Sequence, residues 1–405
     1  MAAASVGLSM AIISLAKLLL VICGLAMLLL VRRPAGKASP LAGTFTPVAV
    51  LTALAAFGLS LLWTAAPLAD ALGAVTKYGK LIVIVLMLLL IRDRREAMYA
   101  LGAFGLAQLF LLLSSWMLFM QLPVPWATSR MALTYYAVFS SYLDQGIIGA
   151  VFAALCWHLR FLVPGRFGPH LAVLVALLAL GNVFFILNGR SGHVVAIALL
   201  SLAIMWELPR SYRAAVLVLP FVLALGLYAS STKVRERLSL VGSEVQFYSS
   251  DQEPVSSSGI RLHFWHRAVQ VISQNPLAGS GVGSWGTEYH RLQREHNAAY
   301  QTTDGHANPH QEYLLWGVQL GIPGILLFLG LLLAVLRDTL KMEPPYARAA
   351  QSVLLALAVA CLFNASLYDA QIGDFFCVLL GLLLASGLAG NTTGRAIHSQ
   401  REPAT

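Results

Sequence analysis

Charge is scarce in this sequence. Only 11% of its 405 residues are Asp, Glu, Lys or Arg, where a soluble domain carries about 25%. Together with 58% hydrophobic residues and a mean hydropathy of +0.74, this shortage excludes a soluble enzyme, a disordered protein and a coiled coil. Acidic charge is the scarcer sign, 18 Asp+Glu against 27 Lys+Arg, a formal net charge of +9. In a chain this apolar, such an excess reports orientation in a bilayer and does not suggest nucleic acid. Cysteine is sparse too. Cys23, Cys156, Cys361 and Cys377 all lie in apolar runs without metal-ligand spacing, so they read as small hydrophobes and no disulfide is expected. No basic region precedes the first apolar run, which is therefore expected to be retained and not cleaved as a signal peptide. The short alternating segments of a β-barrel are missing as well.

What the sequence does have is long apolar runs, and a helix of about 20 apolar residues crosses the hydrocarbon. Eleven are visible, roughly at 8–31, 46–66, 77–91, 96–120, 135–159, 170–187, 193–209, 213–230, 313–336, 348–367 and 375–390. The expected fold is an all-α, polytopic membrane helical bundle. It divides into N-terminal membrane helices (1–230), one long polar loop (231–309), and C-terminal membrane helices with a short tail (310–405). Lys and Arg on alternate sides sort fifteen to four. The fifteen, among them Arg94, Arg160, Arg210, Arg337 and Arg348, mark the cytoplasmic side. The four are Lys77, Lys80, Arg130 and Arg190, and the long loop faces outward with them.

Within that loop, Ser256-Ser257-Ser258-Gly259 offers capping oxygens before a helix over Ile260–Ser273, and Asn275-Pro276 stops it. Ile260, Phe264, Val271 and Ile272 share a face. After the turn Gly279-Ser280-Gly281-Val282-Gly283 a second helix is predicted from about Ser284 to Tyr300. The glycine turn superficially suits a phosphate, but no strand precedes it, and it reads as a turn that folds two helices back on one another.

Three constellations could carry chemistry. Arg190, in Asn188-Gly189-Arg190-Ser191-Gly192-His193, sits in a tight hairpin at the outer boundary. It is either an interfacial arginine reaching water or the partner of an anion. Arg261 lies in the first turn of a predicted helix, where unpaired N–H groups and a guanidinium together favour an anion; a solvated arginine is the alternative. His310, in His306-Ala307-Asn308-Pro309-His310-Gln311-Glu312-Tyr313-Leu314, adjoins a membrane run on the same side as both arginines. It is either structural or a base titrating near neutrality. Pro309 suits the first turn of the next helix, which would put His310 near a positive dipole end and keep it neutral. The carboxylates Asp304, Glu312, Asp369 and Asp374 show no cage spacing, so no metal is expected. With no Walker motif, ATP is not expected either.

These motifs carry a resemblance. An Arg190-Ser191-Gly192 turn follows a membrane helix. An outer loop places Arg261 before Trp265 and Asn275-Pro276-Leu277-Ala278-Gly279-Ser280-Gly281-Val282-Gly283. The pattern ends in Asn308-Pro309-His310-Gln311-Glu312-Tyr313-Leu314 and Leu320-Gly321-Ile322-Pro323-Gly324. Over about 180–330 the chain resembles the O-antigen ligase and polymerase superfamily of Gram-negative inner membranes. Gln311 departs from the usual Asn by one amide. The resemblance implies twelve membrane helices, the missing one within the first 45 residues. It implies an O-antigen ligase, moving polysaccharide from undecaprenyl pyrophosphate to a sugar hydroxyl of lipid A-core on the periplasmic side. Transfer is expected to be inverting, without cofactor, metal or ATP. On the matching positions, Arg190 and Arg261 would hold the pyrophosphate and His310 would serve the acceptor hydroxyl or the leaving group. Asn308, Gln311, Glu312, His306 and Arg267 are candidate supporting residues. An O-antigen polymerase or a protein O-oligosaccharyltransferase of the same superfamily remains open, as does a transporter or flippase of lipid-linked sugars.

Overall fold

The computed structural model describes residues 1–8, 10–30, 41, 43–230, 257–296 and 308–399. These residues are helical with short connections, and no strand occurs among them. A one-turn helix, Ala2–Ser5, precedes α1 (Met10–Leu30) and α2 (Thr46–Leu59). Then come α3 (Leu68–Leu90), α4 (Arg94–Phe119), α5 (Tyr142–His158), α6 (Gly168–Ile186), α7 (Arg190–Glu207) and α8 (Leu219–Ser230). The long polar loop supplies α9 (Ser257–Gln274) and α10 (Trp285–His296). The chain then continues through α11 (Glu312–Thr339), α12 (Pro344–Ala360) and α13 (Ala370–Ser399). Six of these helices are long and apolar enough to cross a membrane, and α1 and α2 are shorter apolar helices. The protein is an all-α, multi-pass membrane bundle.

The eleven apolar runs each became a helix, α1–α8 and α11–α13. Among the described residues before 46, the only further helix is Ala2–Ser5, too short to span. It is buried against α4, where Gln108 Nε2 donates to the Val6 carbonyl at 2.9 Å.

Local sequence sets the helix starts. Asp93 caps α4 by accepting from the Glu96 N–H at 2.8 Å, and Glu96 reaches back to the Arg92 N–H at 3.0 Å, a reciprocal arrangement that satisfies two orphan donors. Ser141 caps α5 through the Asp144 N–H, 3.1 Å. The core is aromatic where three helices meet. Phe57 of α2 stacks on Tyr78 of α3 at 4.0 Å, and Trp316 of α11 meets both edge-on. Deeper in the bundle, Lys17 of α1 pairs with Asp374 of α13 at 2.7 Å, the carboxylate being 2% exposed.

Side-chain contacts sort the connections into two ends. At one end Arg94 binds Glu343, Asp338 accepts from the Phe45 and Thr46 N–H groups, and Arg160 lies 3.5 Å from Glu207. This is where the sequence gathers its basic loops. At the other end Thr64 and Ala65 join the glycine turn, and Glu312 joins residues 367–368.

Candidate functional site

The helices α9 and α10 of the long loop are clamped onto this second end. The turn between them was expected to fold two helices back, and it does so by using up its own donors. The N–H groups of Ser280 and Gly281 bond the Val318 and Gln319 carbonyls at 2.8 and 2.9 Å. Those of Val282 and Gly283 bond Ser60 Oγ and Gln319 Oε1 at 3.1 Å each. All four face protein acceptors, so the turn is no phosphate cradle. Gly281 has φ +85°, and a Cβ there would strike the Thr64 backbone, so glycine is required. α9 runs as predicted, burying Phe264 and Val271. α10 is described to His296, and the predicted continuation to Tyr300 falls outside the described residues, as do Ser256 and His306.

His310 stands where this clamp meets the bundle. It lies just ahead of α11, near the helix start as expected, but Pro309 is not in the first turn. α11 begins at Glu312 with Gln311 as its cap, Oε1 accepting from the Leu314 N–H at 2.7 Å. Pro309 therefore lies ahead of the helix, and His310 turns the chain into it with φ +54°. Asn308 supports that left-handed conformation, its Oδ1 accepting from the His310 N–H at 2.8 Å. The imidazole stacks on Phe264 of α9, centroids 6.2 Å apart and planes at 21°. Its Nδ1 lies 3.4 Å from Asn364 Oδ1.

Beside His310 lies Asp369, in the connection between α12 and α13. Asn308 Nδ2 approaches its carboxylate at 3.4 Å. Burial raises the Asp369 carboxyl, while His310, Lys80 and Lys77 pull it the other way. Lys80, 6% exposed, donates to the Asp369 carbonyl at 2.6 Å, and Lys77 sits 4.1 Å above the Tyr368 ring. The sequence reading counted both lysines only for orientation. A lysine inside an apolar run was itself the signal that it had a partner.

Glu312, a candidate supporting residue, is committed to the fold. It is fully buried. Its Oε1 accepts from Trp316 Nε1 at 2.9 Å, and its Oε2 from the Leu367 and Tyr368 N–H groups at 2.9 and 3.1 Å. It thus holds the loop that presents Asp369, as a positioning residue. Gln311 is likewise a cap. Arg267 is buried in α9, with Nη1 on Gln270 Oε1 at 3.0 Å. Its neighbour His263 packs edge-on against Tyr289 at 6.0 Å, and burial, then Arg267, lower its pKa.

The two arginines reach this end from different helices. Arg261 is half-buried on α9, three residues before the Phe264 that stacks on His310. Arg190 is half-buried at the first position of α7, with Gly189 as N-cap. A Cβ on Gly189 would lie 3.1 Å from the Tyr142 carbonyl, and Gly192 is pressed against Gly146. The start of α7 is thereby seated on the start of α5. His193, expected only as part of the hairpin motif, ties its two sides: Nε2 lies 2.9 Å from the Val183 carbonyl and the ring stacks on Phe184.

Compared with protein-family models, residues 173–329 match the family described as O-Antigen ligase. The matched stretch includes the Arg190 hairpin, the outer-loop helices with Arg261, and His310. No curated protein matches the chain.

Proposed function

We propose that this protein, whose residues 173–329 match the O-antigen ligase family, is a ligase moving O-antigen polysaccharide from undecaprenyl pyrophosphate to a sugar hydroxyl of lipid A-core. The observation that carries the reading is the meeting of His310, Asp369 and the Arg261-bearing helix at one end of the bundle, with the Arg190 helix start at the same end. That end lies opposite the basic loops, which by the charge rule for membrane proteins supports a periplasmic site. The membrane in question is the Gram-negative inner membrane.

The chemistry follows from residue type. Arg190 and Arg261 offer guanidinium forks to the pyrophosphate, and Arg190 adds a helix N-terminus. The acceptor oxygen attacks the anomeric carbon as the bond to the pyrophosphate oxygen breaks, inverting that carbon. His310 takes the hydroxyl proton on Nε2, since Nδ1 faces Asn364. The nearby Asp369 carboxylate stabilises the imidazolium so formed. The negative charge appearing on the leaving pyrophosphate is met by fixed cations without nucleotide or metal.

Arg190→Ala and Arg261→Ala are each expected to abolish transfer while the protein still inserts and purifies. Lysine at either position is expected to restore little, because a point charge lacks the fork. Full transfer by either alanine variant would overturn the donor site.

The buried Lys17–Asp374 pair favours a second reading, a transporter of lipid-linked sugars, since intramembrane charge often marks a translocation path. The two charges satisfy one another at 2.7 Å, which suits a structural tie equally well. Turnover by purified protein in detergent, where no second compartment exists, separates the two.

A further inference from the structure

Between α5, α6 and α7, in the half of the bundle nearer the basic loops, lies a cavity of about 280 Å³, close to the lower bound of ~300 Å³ usual for ligand pockets. Its walls are apolar and mostly small, among them Ala153, Ala176, Ala196 and Ala203, and Glu207 is its one charged lining residue. Small residues usually let membrane helices close on one another. Here the three helices do close, but only toward the other end. Gly192 is pressed on Gly146, and a Cβ on Gly149 would meet Val183 at 3.0 Å. Below those contacts the space stays open. Water would find almost no polar partner there, and an empty space would forfeit the dispersion contacts of its lining.

The lining residues nearest the basic loops are Trp157, Glu207 and Leu208, and the surface beside them is basic. Arg160 lies over the Trp157 ring at 4.0 Å, donates through Nη1 to the Trp157 carbonyl at 2.6 Å, and leaves Nη2 at 3.5 Å from Glu207. Arg210 and Arg213, two and five residues beyond Leu208, are exposed, and Arg348 sits 5.8 Å from the Trp206 ring. The Trp157 indole N–H is buried with no hydrogen-bond partner among the described residues, although a buried indole N–H usually finds one.

We propose that this cavity binds one acyl chain of an anionic phospholipid from the leaflet at the basic end, its phosphate among Arg160, Arg210 and Arg213 and its ester region accepting from Trp157 Nε1. The closed glycine contacts separate the cavity from Arg190, so the occupant is distinct from the tail of a donor held there. The site requires no particular catalytic activity of the protein.

The test uses the full-length protein in phosphatidylcholine nanodiscs containing rising fractions of phosphatidylglycerol brominated on its acyl chains. Bromine quenches nearby tryptophan. The expected result is a component that saturates at low phosphatidylglycerol fraction, is lost in Trp157→Phe, and is lost in Arg160→Ala. Brominated phosphatidylcholine should give only quenching proportional to its fraction. The wild-type titration needs no variant to fold, and it alone overturns the proposal if the two lipids quench alike. A saturable component that survives in Trp157→Phe places the site elsewhere. Displacement of that component by undecaprenyl pyrophosphate assigns the cavity to the donor's tail. Either result overturns the proposal.

Discussion

His310 is fixed by its surroundings before any substrate arrives. A non-glycine residue at φ +54° costs roughly 1–2 kcal/mol, and strain of this kind tends to collect at functional positions. Asn308 offsets part of it by accepting the His310 N–H. Replacing His310 with Ala is expected to slow transfer at least ~10²-fold, the usual scale for loss of a general base, with donor binding retained. Loss of donor binding in a folded variant would make the histidine a pyrophosphate ligand instead. Asp369 tests the same dyad through its opposite effects on rate and stability. Its carboxyl is raised by burial, so it takes up a proton at a higher pH than an ordinary aspartate. A group raised in this way stabilises the fold below its unfolded pKa, and that contribution is lost as pH climbs through the folded value. At neutral pH the buried charge is therefore a net cost. Asp369→Asn is expected to lower the rate and remove the acid inflection that this carboxylate contributes, without lowering the thermal midpoint at pH 7. A variant that loses stability and keeps its rate would make Asp369 merely structural. The sequence named His310 and both arginines because their types and neighbours are local. Asp369 was visible there only as one outward carboxylate among four, since its approach to His310 spans 59 positions and depends on how α11 and α12 pack.

At the scale of elements, the outer loop was legible because its signals are short-range: serines before a helix, Asn-Pro after it, glycines between. What the glycines pack against was not legible, since Thr64 and Gln319 come from α2–α3 and α11. The same distance hid the role of Glu312, which the sequence offers as a supporting residue of the site and packing uses as a bracket. Pro309 was expected in the first turn of α11, which instead begins three residues on, at Glu312, because proline suits a preceding turn equally well. The clamp predicts that Gly281→Ala, strained at positive φ and blocked by the Thr64 backbone, will cost more than the roughly 1–2 kcal/mol of the left-handed conformation alone. Hydrogen exchange across 257–296 is expected to rise selectively, with transfer falling alongside it. Unchanged exchange would show that the loop is held elsewhere.

For the whole molecule, hydropathy alone was enough to place eleven helices, because the bilayer admits little else. The two-ended sorting of loops by charge reappears as contacts, Arg94 with Glu343 and Arg160 with Glu207 at one end. The Lys17–Asp374 tie was not legible, as nothing in either run names its partner. Lys17→Ala would leave Asp374 buried and unpaired, a change expected to cost roughly 3–5 kcal/mol. The double variant Lys17→Met with Asp374→Leu is expected to recover much of that loss in thermal unfolding. A double variant as unstable as the single one would contradict the pairing.

The central claim is glycan transfer at the end that carries His310, and product analysis tests it most directly. Purified protein is given labelled glycan on undecaprenyl pyrophosphate together with lipid A-core, in detergent, with EDTA and without nucleotide. The expected result is labelled glycan on lipid A-core, absent with His310→Ala. A lengthened lipid-linked glycan would make the protein a polymerase, and activity that returns only when magnesium or manganese is restored would contradict the metal-free chemistry assigned to Arg190 and Arg261.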